Sequence, residues 1–169
     1  MKTLKTDYIA LLLLALALPL SSCAGPKHSI RTQALYQHLH CAQKQSGLYL
    51  LEDQNAVNSS LHQQLPTRFN SPAPKQSDID FQLWSQQHWL VLAAIGQKPT
   101  GGFNLDLIDN HSTIENKTLH LPLNIIEPQK GSIQTTAFTS PCLLLAVEKG
   151  NYTKILVTKQ EGWLITLPP

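Results

Sequence analysis

The residues that could act in catalysis or bind a metal are few in this chain, and they do not form a known catalytic motif. The sequence contains no HExxH, CxxC or GxSxG pattern, and its seven histidines are scattered. Gly96 and Gly101 have the spacing of a phosphate-binding loop, which also needs a Lys and a Ser or Thr directly after the second glycine. Gly102 and Phe103 occupy those two positions, so this loop does not fit phosphate. We therefore predict a protein that is not an enzyme and uses no cofactor and no metal.

One loop stands out because its residues stiffen the backbone. Residues 96–103 read Gly-Gln-Lys-Pro-Thr-Gly-Gly-Phe and follow an apolar segment. Pro99 fixes its own φ and holds Lys98 extended, whereas Gly101–Gly102 permits positive φ or a close backbone approach. Two interpretations are open: a stiff connection between two strands, or a binding loop that presents backbone groups and the Thr100 hydroxyl to a partner.

The first cysteine follows an export signal. Lys2 and Lys5 precede an apolar run from Ile9 to Leu20, which is too short to span a bilayer but fits the core of a signal peptide. The string Leu20-Ser21-Ser22-Cys23 resembles the lipobox of bacterial lipoproteins, in which the signal peptidase cuts before the cysteine and the sulfur carries diacylglycerol. An ordinary signal peptide with an incidental cysteine is the alternative.

The lipobox resemblance implies where the protein is held. Residues 1–22 would be the signal peptide, lipidation would fall on Cys23, and residues 23–29 would form a lipidated tether before a single domain over 30–169. In enterobacterial lipoproteins, an Asp directly after the lipidated cysteine disfavours transfer to the outer membrane. Here that position is occupied by Ala24. We expect a cell-envelope protein, lipid-anchored in the outer membrane and facing the periplasm.

Two cysteines then remain, Cys41 and Cys142. An even number of cysteines in an oxidising compartment indicates a disulfide. Closing a loop of about 100 residues would stabilise the fold by roughly 4–5 kcal/mol in the chain-entropy model. Two buried thiols, or a metal site that includes the nearby His38 and His40, are the alternatives.

Length and composition limit the remaining classes. A chain of 169 residues suggests one domain with room for a real core. Thirteen basic against eleven acidic residues give a net charge of +2, which provides no basic field for nucleic acid. A hydrophobic content of 42% is ordinary for a globular protein and excludes disorder throughout.

The first third of the domain predicts one short helix. Residues 34–41 are ambiguous between strand and helix, and 48–51 form a short apolar strand. Asp53 is a plausible N-cap. The helix after it would carry an apolar stripe at four-residue spacing and end at a proline; these positions are Val57, Leu61, Leu65 and Pro66.

From Phe81 onward the pattern changes to strands separated by turn residues. The run 88–95 is almost continuously apolar, as in a central strand buried on both faces. Many short strands with such spacing predict a mainly β fold, a β-sandwich or partly open barrel, with an immunoglobulin-like or chagasin-like form among the possibilities. The other predicted strands are 103–107, 119–125, 133–138, 142–147, 154–158 and 163–167.

The loop and its flanks resemble the PrcB C-terminal domain. That family has an extended apolar strand ending in a G-x-K-P-T-G-G-[YF] loop, matched here by Asp80-Phe81, the strand Trp89–Ile95 and the loop 96–103. A later T-x-P segment that leads into an apolar strand is matched by Thr139-Ser140-Pro141-Cys142-Leu143. The resemblance covers about residues 78–157.

The resemblance implies an accessory role. PrcB-type proteins are exported lipoproteins, and the namesake is an accessory subunit that supports assembly or stability of a subtilisin-like surface protease complex. No catalytic residues transfer. We therefore expect a non-enzymatic envelope lipoprotein that binds an unknown protein partner, such as a protease complex, and the membrane through its lipid. The candidate partner-binding loop is Lys98, Pro99, Thr100, Gly101, Gly102 and Phe103.

A second resemblance gives the alternative function. Residues 98–103 are similar to the N-P-T-T-G-[YF] loop of chagasin-type inhibitors of papain-like cysteine proteases, with Lys98 in place of Asn and Gly101 in place of the second Thr. Those inhibitors also need a glycine-rich loop and an Arg-Pro-Trp loop. Gly162-Trp163 lacks the Arg-Pro, and no second glycine-rich loop is evident.

Overall fold

Strands dominate the computed structural model, which describes residues 28–61 and 79–169. Two helices accompany the strands in these residues: α1 (Gln54–Leu61) and α2 (Phe81–Ser85). The strands are β1 (His28–His38), β2 (Ser46–Leu51), β3 (His88–Ile95), β4 (Asn104–Leu107), β5 (His111–Glu115), β6 (Thr118–Leu121), β7 (Leu123–Ile126), β8 (Cys142–Glu148), β9 (Lys154–Val157) and β10 (Leu164–Thr166).

Eight of these strands form one curled sheet. Their order is β10-β9-β6-β5-β1-β8-β3-β2, and β6 with β9 is the parallel pair among antiparallel neighbours. The two edge strands β10 and β2 contact each other, so the sheet is a nearly closed barrel. β4 and β7 pair as a second small sheet. The mainly β prediction is confirmed, and of the two predicted architectures the described strands form the barrel-like one.

The central strands are buried on both faces. Along β3, Val91, Ala93 and Ile95 belong to one core cluster, and the alternate residues Leu90 and Leu92 belong to another. β8 divides its side chains between the same two clusters. This alternation is why the sequence shows a continuous apolar run rather than a period of two.

The predicted helix is present as α1. Asp53 Oδ1 accepts a hydrogen bond from the Ala56 amide at 2.6 Å, as an N-cap should. Val57 and Leu61 are buried in the core cluster that also contains Leu90 and Leu92, which is called the outer core cluster. Leu65, predicted to extend the apolar stripe, lies outside the described residues.

The prediction that strands begin at Phe81 was wrong, because Phe81–Ser85 is the helix α2. Asp80 Oδ1 accepts hydrogen bonds from the amides of Gln82 at 2.8 Å and Leu83 at 3.4 Å, which caps the helix start. The Gln54 side chain accepts from the Phe81 amide at 2.8 Å. Capping by a side chain from α1 is a tertiary effect that the local sequence pattern does not show.

Three strand boundaries also differ from the predictions. The expected strand 119–125 is two strands in different sheets, β6 and β7, because Pro122 between them has no amide for the ladder. The strand β5 was not predicted; its Ser112 hydroxyl is buried in a hydrogen bond with the Thr32 hydroxyl at 2.7 Å. β1 begins at His28, inside the predicted tether 23–29.

The sheet gives the barrel two distinguishable ends. β1 and β3 run in the same direction, because both are antiparallel to β8, and Cys142 of β8 pairs with His38 and with Ala94. The end at which β1 begins, with His28, is called the tether end. The end that holds Cys142 and the loop 96–103 is called the loop end. The span of β1 sets their separation at about 33 Å.

Candidate partner-binding site

The loop 96–103 connects β3 to β4 at the loop end and passes directly over neighbouring backbone. Gly96 has φ +74°, and a Cβ there would lie 2.9 Å from the Lys44 carbonyl oxygen and 2.8 Å from the Ser46 nitrogen. The Gln97 amide donates to the Lys44 carbonyl at 3.0 Å. Gly96 is therefore required by a close backbone approach and by its conformation.

A second segment, residues 127–139, lies across the loop and is called the clasp. Lys98 and Thr139 exchange two backbone hydrogen bonds of 2.7 and 3.0 Å. The Thr139 hydroxyl donates to the Thr100 carbonyl at 2.9 Å, and the Gly101 amide donates to the Thr135 carbonyl at 3.1 Å. The loop is therefore held by the protein's own chain along most of its length, and its backbone is not bared.

The glycine pair allows the clasp to pack closely. A Cβ on Gly101 would lie 2.6 Å from Thr135 Oγ1. Gly102 has φ +86°, and a Cβ there would meet the Gln134 side-chain oxygen and lie 2.9 Å from Pro128 Cβ. The Gly-Gly sequence therefore has a structural reason, whatever the loop binds.

The other loop residues differ in exposure. Pro99 is exposed, and Lys98 is half-buried with its Nζ 5.2 Å from the centroid of the Phe103 ring. That distance allows a cation–π contact. The half-buried Thr100 hydroxyl makes no hydrogen bond within the described residues. The structure thus brings all six predicted site residues together in one packed loop.

The clasp carries the most exposed apolar side chains of this end. Ile133 is fully exposed (101%) and Phe138 is 67% exposed. Phe138 precedes Thr139, which pairs with Lys98, so it lies beside the loop. Exposed Leu39 and Ile126 add to the surface, because Leu39 accepts a backbone hydrogen bond from Ser140 and Ile126 pairs with Asn104.

Sequence reasoning missed this surface because it predicted a strand at 133–138. No strand forms there, since the clasp bonds to the loop only at single points. The spacing of the two apolar residues could have indicated that this segment has no single buried face. Ile133 and Phe138 are an odd number of residues apart, so a strand would place them on opposite faces. Gly131, with φ +83°, further breaks the segment.

A disulfide braces the base of the loop end. Cys41 and Cys142 are bonded, with their Cα atoms 6.1 Å apart, so the predicted pairing is confirmed. Ser140 directly follows the clasp; its carbonyl accepts from the Cys41 amide at 2.9 Å, and its amide donates to the Leu39 carbonyl at 2.8 Å. The clasp and the end of β1 are thus tied to the start of β8.

Two kinds of feature are absent from residues 28–61 and 79–169. No group of three or more His, Cys, Asp or Glu in them is placed to hold a metal ion. None of their helices has the length and hydropathy to cross a bilayer. Cys23, the predicted lipidation site, lies outside them.

A comparison with models of known protein families shows which family this chain resembles. The model of the PrcB C-terminal domain matches residues 89–148. Over these residues, the chain is similar to the PrcB C-terminal domain family. The match begins in β3 and ends with β8, so it contains the loop and the clasp, and it confirms the resemblance predicted over about 78–157. No curated protein and no solved structure matches the chain.

The PrcB match favours an accessory module. It covers the segment in which the loop and the clasp are joined, and it leaves out α1, α2 and the strands at either end of the chain. The similarity to the family therefore lies in the segment that contains the loop and the clasp.

Proposed function

We propose that this protein is a non-enzymatic, lipid-anchored accessory module of the cell envelope, and that its loop end binds a protein partner such as a protease complex. The anchor is the lipid on Cys23, in the outer membrane and facing the periplasm. The observation that carries the proposal is the pair of exposed apolar side chains on the clasp, Ile133 and Phe138, on a segment hydrogen-bonded to the loop.

The loop end has the properties of a binding surface. A few anchor side chains, with aromatic ones prominent among them, supply most of the binding energy at protein interfaces. A backbone that is already ordered lowers the entropic cost of binding. Here the backbone is ordered by the Lys98–Thr139 pair and by the Gly101–Thr135 hydrogen bond. The disulfide holds the same end to the barrel. Phe138 and Ile133 thus act as anchors that insert into apolar pockets of the partner.

The geometry gives no support to the inhibitor alternative. A chagasin-like loop would have to enter a protease cleft, whereas here the Thr135 and Gln134 side chains lie against Gly101 and Gly102. Papain inhibition by the purified protein is nevertheless a simple assay, and the proposal expects none at micromolar concentration.

The experiment is crosslinked affinity capture from native envelopes with the intact lipoprotein as bait. Phe138→Asp should abolish capture of the partner. Ile108→Asp is the matched control, because Ile108 is equally exposed (69% against 67%) but follows the end of β4 that is distant from the loop and the clasp. Both variants should melt as the wild type does, since neither side chain is buried. Equal capture by all three proteins would refute the assignment to the loop end.

A further inference from the structure

The tether fixes which end of the barrel meets the membrane. Five peptide steps separate Cys23 from His28, and a chain of that length reaches at most about 18 Å. His28 begins β1 at the tether end. A lipid on Cys23, which is part of the proposed function, therefore keeps the tether end close to the bilayer. The loop end lies about 33 Å farther along β1.

Helix α2 presents apolar side chains at the same end. It immediately precedes β3, which starts level with the first half of β1, because Thr32 and Trp89 both pair with Val147. Phe81 and Trp84 pack against the outer core cluster. Between them, Leu83 projects outward with 70% of its surface exposed.

An open groove adjoins α2. It has a volume of about 310 Å³ and is lined mostly by apolar side chains, with Phe81, Trp89, Leu50 and Pro168 among them. Lys149 closes one side: its Nζ lies 4.6 Å from the centroid of the Trp89 ring. The groove and Leu83 together form what we call the tether-end face.

The tether-end face is held firmly to the barrel. Lys149 Nζ donates to the Ser85 carbonyl at 2.8 Å, which satisfies an otherwise unpaired carbonyl at the end of α2. The Trp84 ring contacts His88 edge-on, with the ring centroids 5.2 Å apart. Contact with a bilayer would therefore not require this surface to become ordered first.

The charge of the tether end does not indicate what contacts the tether-end face. The strand registers and the helix starts bring both basic and acidic residues to the tether end. They are Arg31, Lys117, Lys149 and Lys154 against Glu52, Asp53, Asp80, Glu115 and Glu148, so the two signs nearly balance. Attraction to anionic lipid is therefore weak, and apolar side chains with tryptophan, suited to the membrane interface, remain as the source of contact.

We propose that the tether-end face rests on the bilayer to which the chain is anchored, with Leu83 inserted at the lipid interface, so that the loop end points away from the membrane toward its partner. A single exposed leucine would bind lipid weakly in a free protein. On a tether of this length the local concentration of the face at the bilayer is high, so a weak contact is sufficient.

The test uses the full lipoprotein reconstituted in phosphatidylethanolamine–phosphatidylglycerol vesicles. Leu83→Cys and Phe138→Cys each introduce one free thiol, because Cys41 and Cys142 are bonded, and both are labelled with an environment-sensitive fluorophore. We expect a blue shift and quenching by spin-labelled lipid at position 83, and neither change at position 138. Removal of the lipid by cleavage after the tether should abolish the signal at 83.

The outcomes separate this proposal from the proposed function. Equal and unquenched fluorescence at both positions, in protein that floats with the vesicles, overturns the tether-end contact but leaves partner binding intact. Quenching at 138 and not at 83 overturns both, because the loop end would then face the lipid. Protein that fails to float refutes the lipid anchor and with it this proposal, while capture by the loop end stays separately measurable.

Discussion

The Gly101 amide donates a hydrogen bond to the Thr135 carbonyl at 3.1 Å, and this contact holds the middle of the clasp against the loop. The approach is so close that a Cβ at position 101 would lie 2.6 Å from Thr135 Oγ1. Gly101 does not have a positive φ, so its requirement for glycine is steric. The pair therefore allows the packing of the clasp to be tested without backbone strain.

Gly101→Ala should destabilise the protein by about 1–3 kcal/mol, the usual cost of overpacking. Adding Thr135→Ala removes the hydroxyl that the new methyl group meets and should recover most of the loss. Urea unfolding of the two single variants and the double variant measures the coupling. If Gly101→Ala costs the same with and without Thr135→Ala, the two side chains do not compete for this space.

The disulfide should contribute strongly to stability. Replacing both cysteines, Cys41→Ala with Cys142→Ala, should lower the free energy of unfolding by roughly 4–5 kcal/mol in the chain-entropy model. The intact mass of protein from the periplasm should rise by two hydrogen atoms on reduction. Two free thiols in the untreated protein, detected by alkylation, would contradict the bond seen between these residues.

The N-cap of α1 gives a smaller and more local effect. Asp53→Ala removes the acceptor for the Ala56 amide and should cost about 1 kcal/mol. Asp53→Asn keeps an acceptor oxygen and should be nearly neutral. Thermal unfolding of the two variants decides between capping and a general charge effect, because loss of charge alone would make them equally unstable.

Stability at high pH should depend on Tyr152. Burial, and to a lesser degree the nearby Glu148, raises the pKa of this phenol above its ordinary value. Its hydroxyl donates to the Glu148 carbonyl at 2.6 Å. Because the folded pKa exceeds the unfolded pKa, the contribution to stability is complete below pH 10 and is lost progressively above it. Tyr152→Phe should abolish that loss in unfolding measured from pH 8 to 11; unchanged steepness would contradict it.

Local patterns predicted the parts of the fold that local forces determine. The run 88–95 became β3, Asp53 capped α1, and the pairing of Cys41 with Cys142 followed from their number and compartment. The sequence motif also located the loop 96–103 and its family. For β3, α1 and the loop, the deciding interactions join residues that are close in the chain. For the cysteines, only one pairing is possible once Cys23 is assigned to the lipid.

Long-range contacts explain what the sequence did not show. The apolar pattern at 133–138 indicated a strand, but two backbone hydrogen bonds with Lys98 and one with Gly101 hold the clasp in an irregular path. Phe81–Ser85 became helical because Asp80 and the distant Gln54 cap it. Which apolar residues stay exposed, such as Phe138, also depends on what the rest of the chain leaves uncovered.

The central claim is that a protein partner contacts the clasp. Its most direct measurement is photo-crosslinking in intact cells, with a photoreactive amino acid placed at Phe138 in one protein and at Leu83 in another. We expect a discrete protein adduct from position 138 and none of that mass from position 83. An adduct from position 83 alone, or from neither position in correctly folded and localised protein, would contradict it.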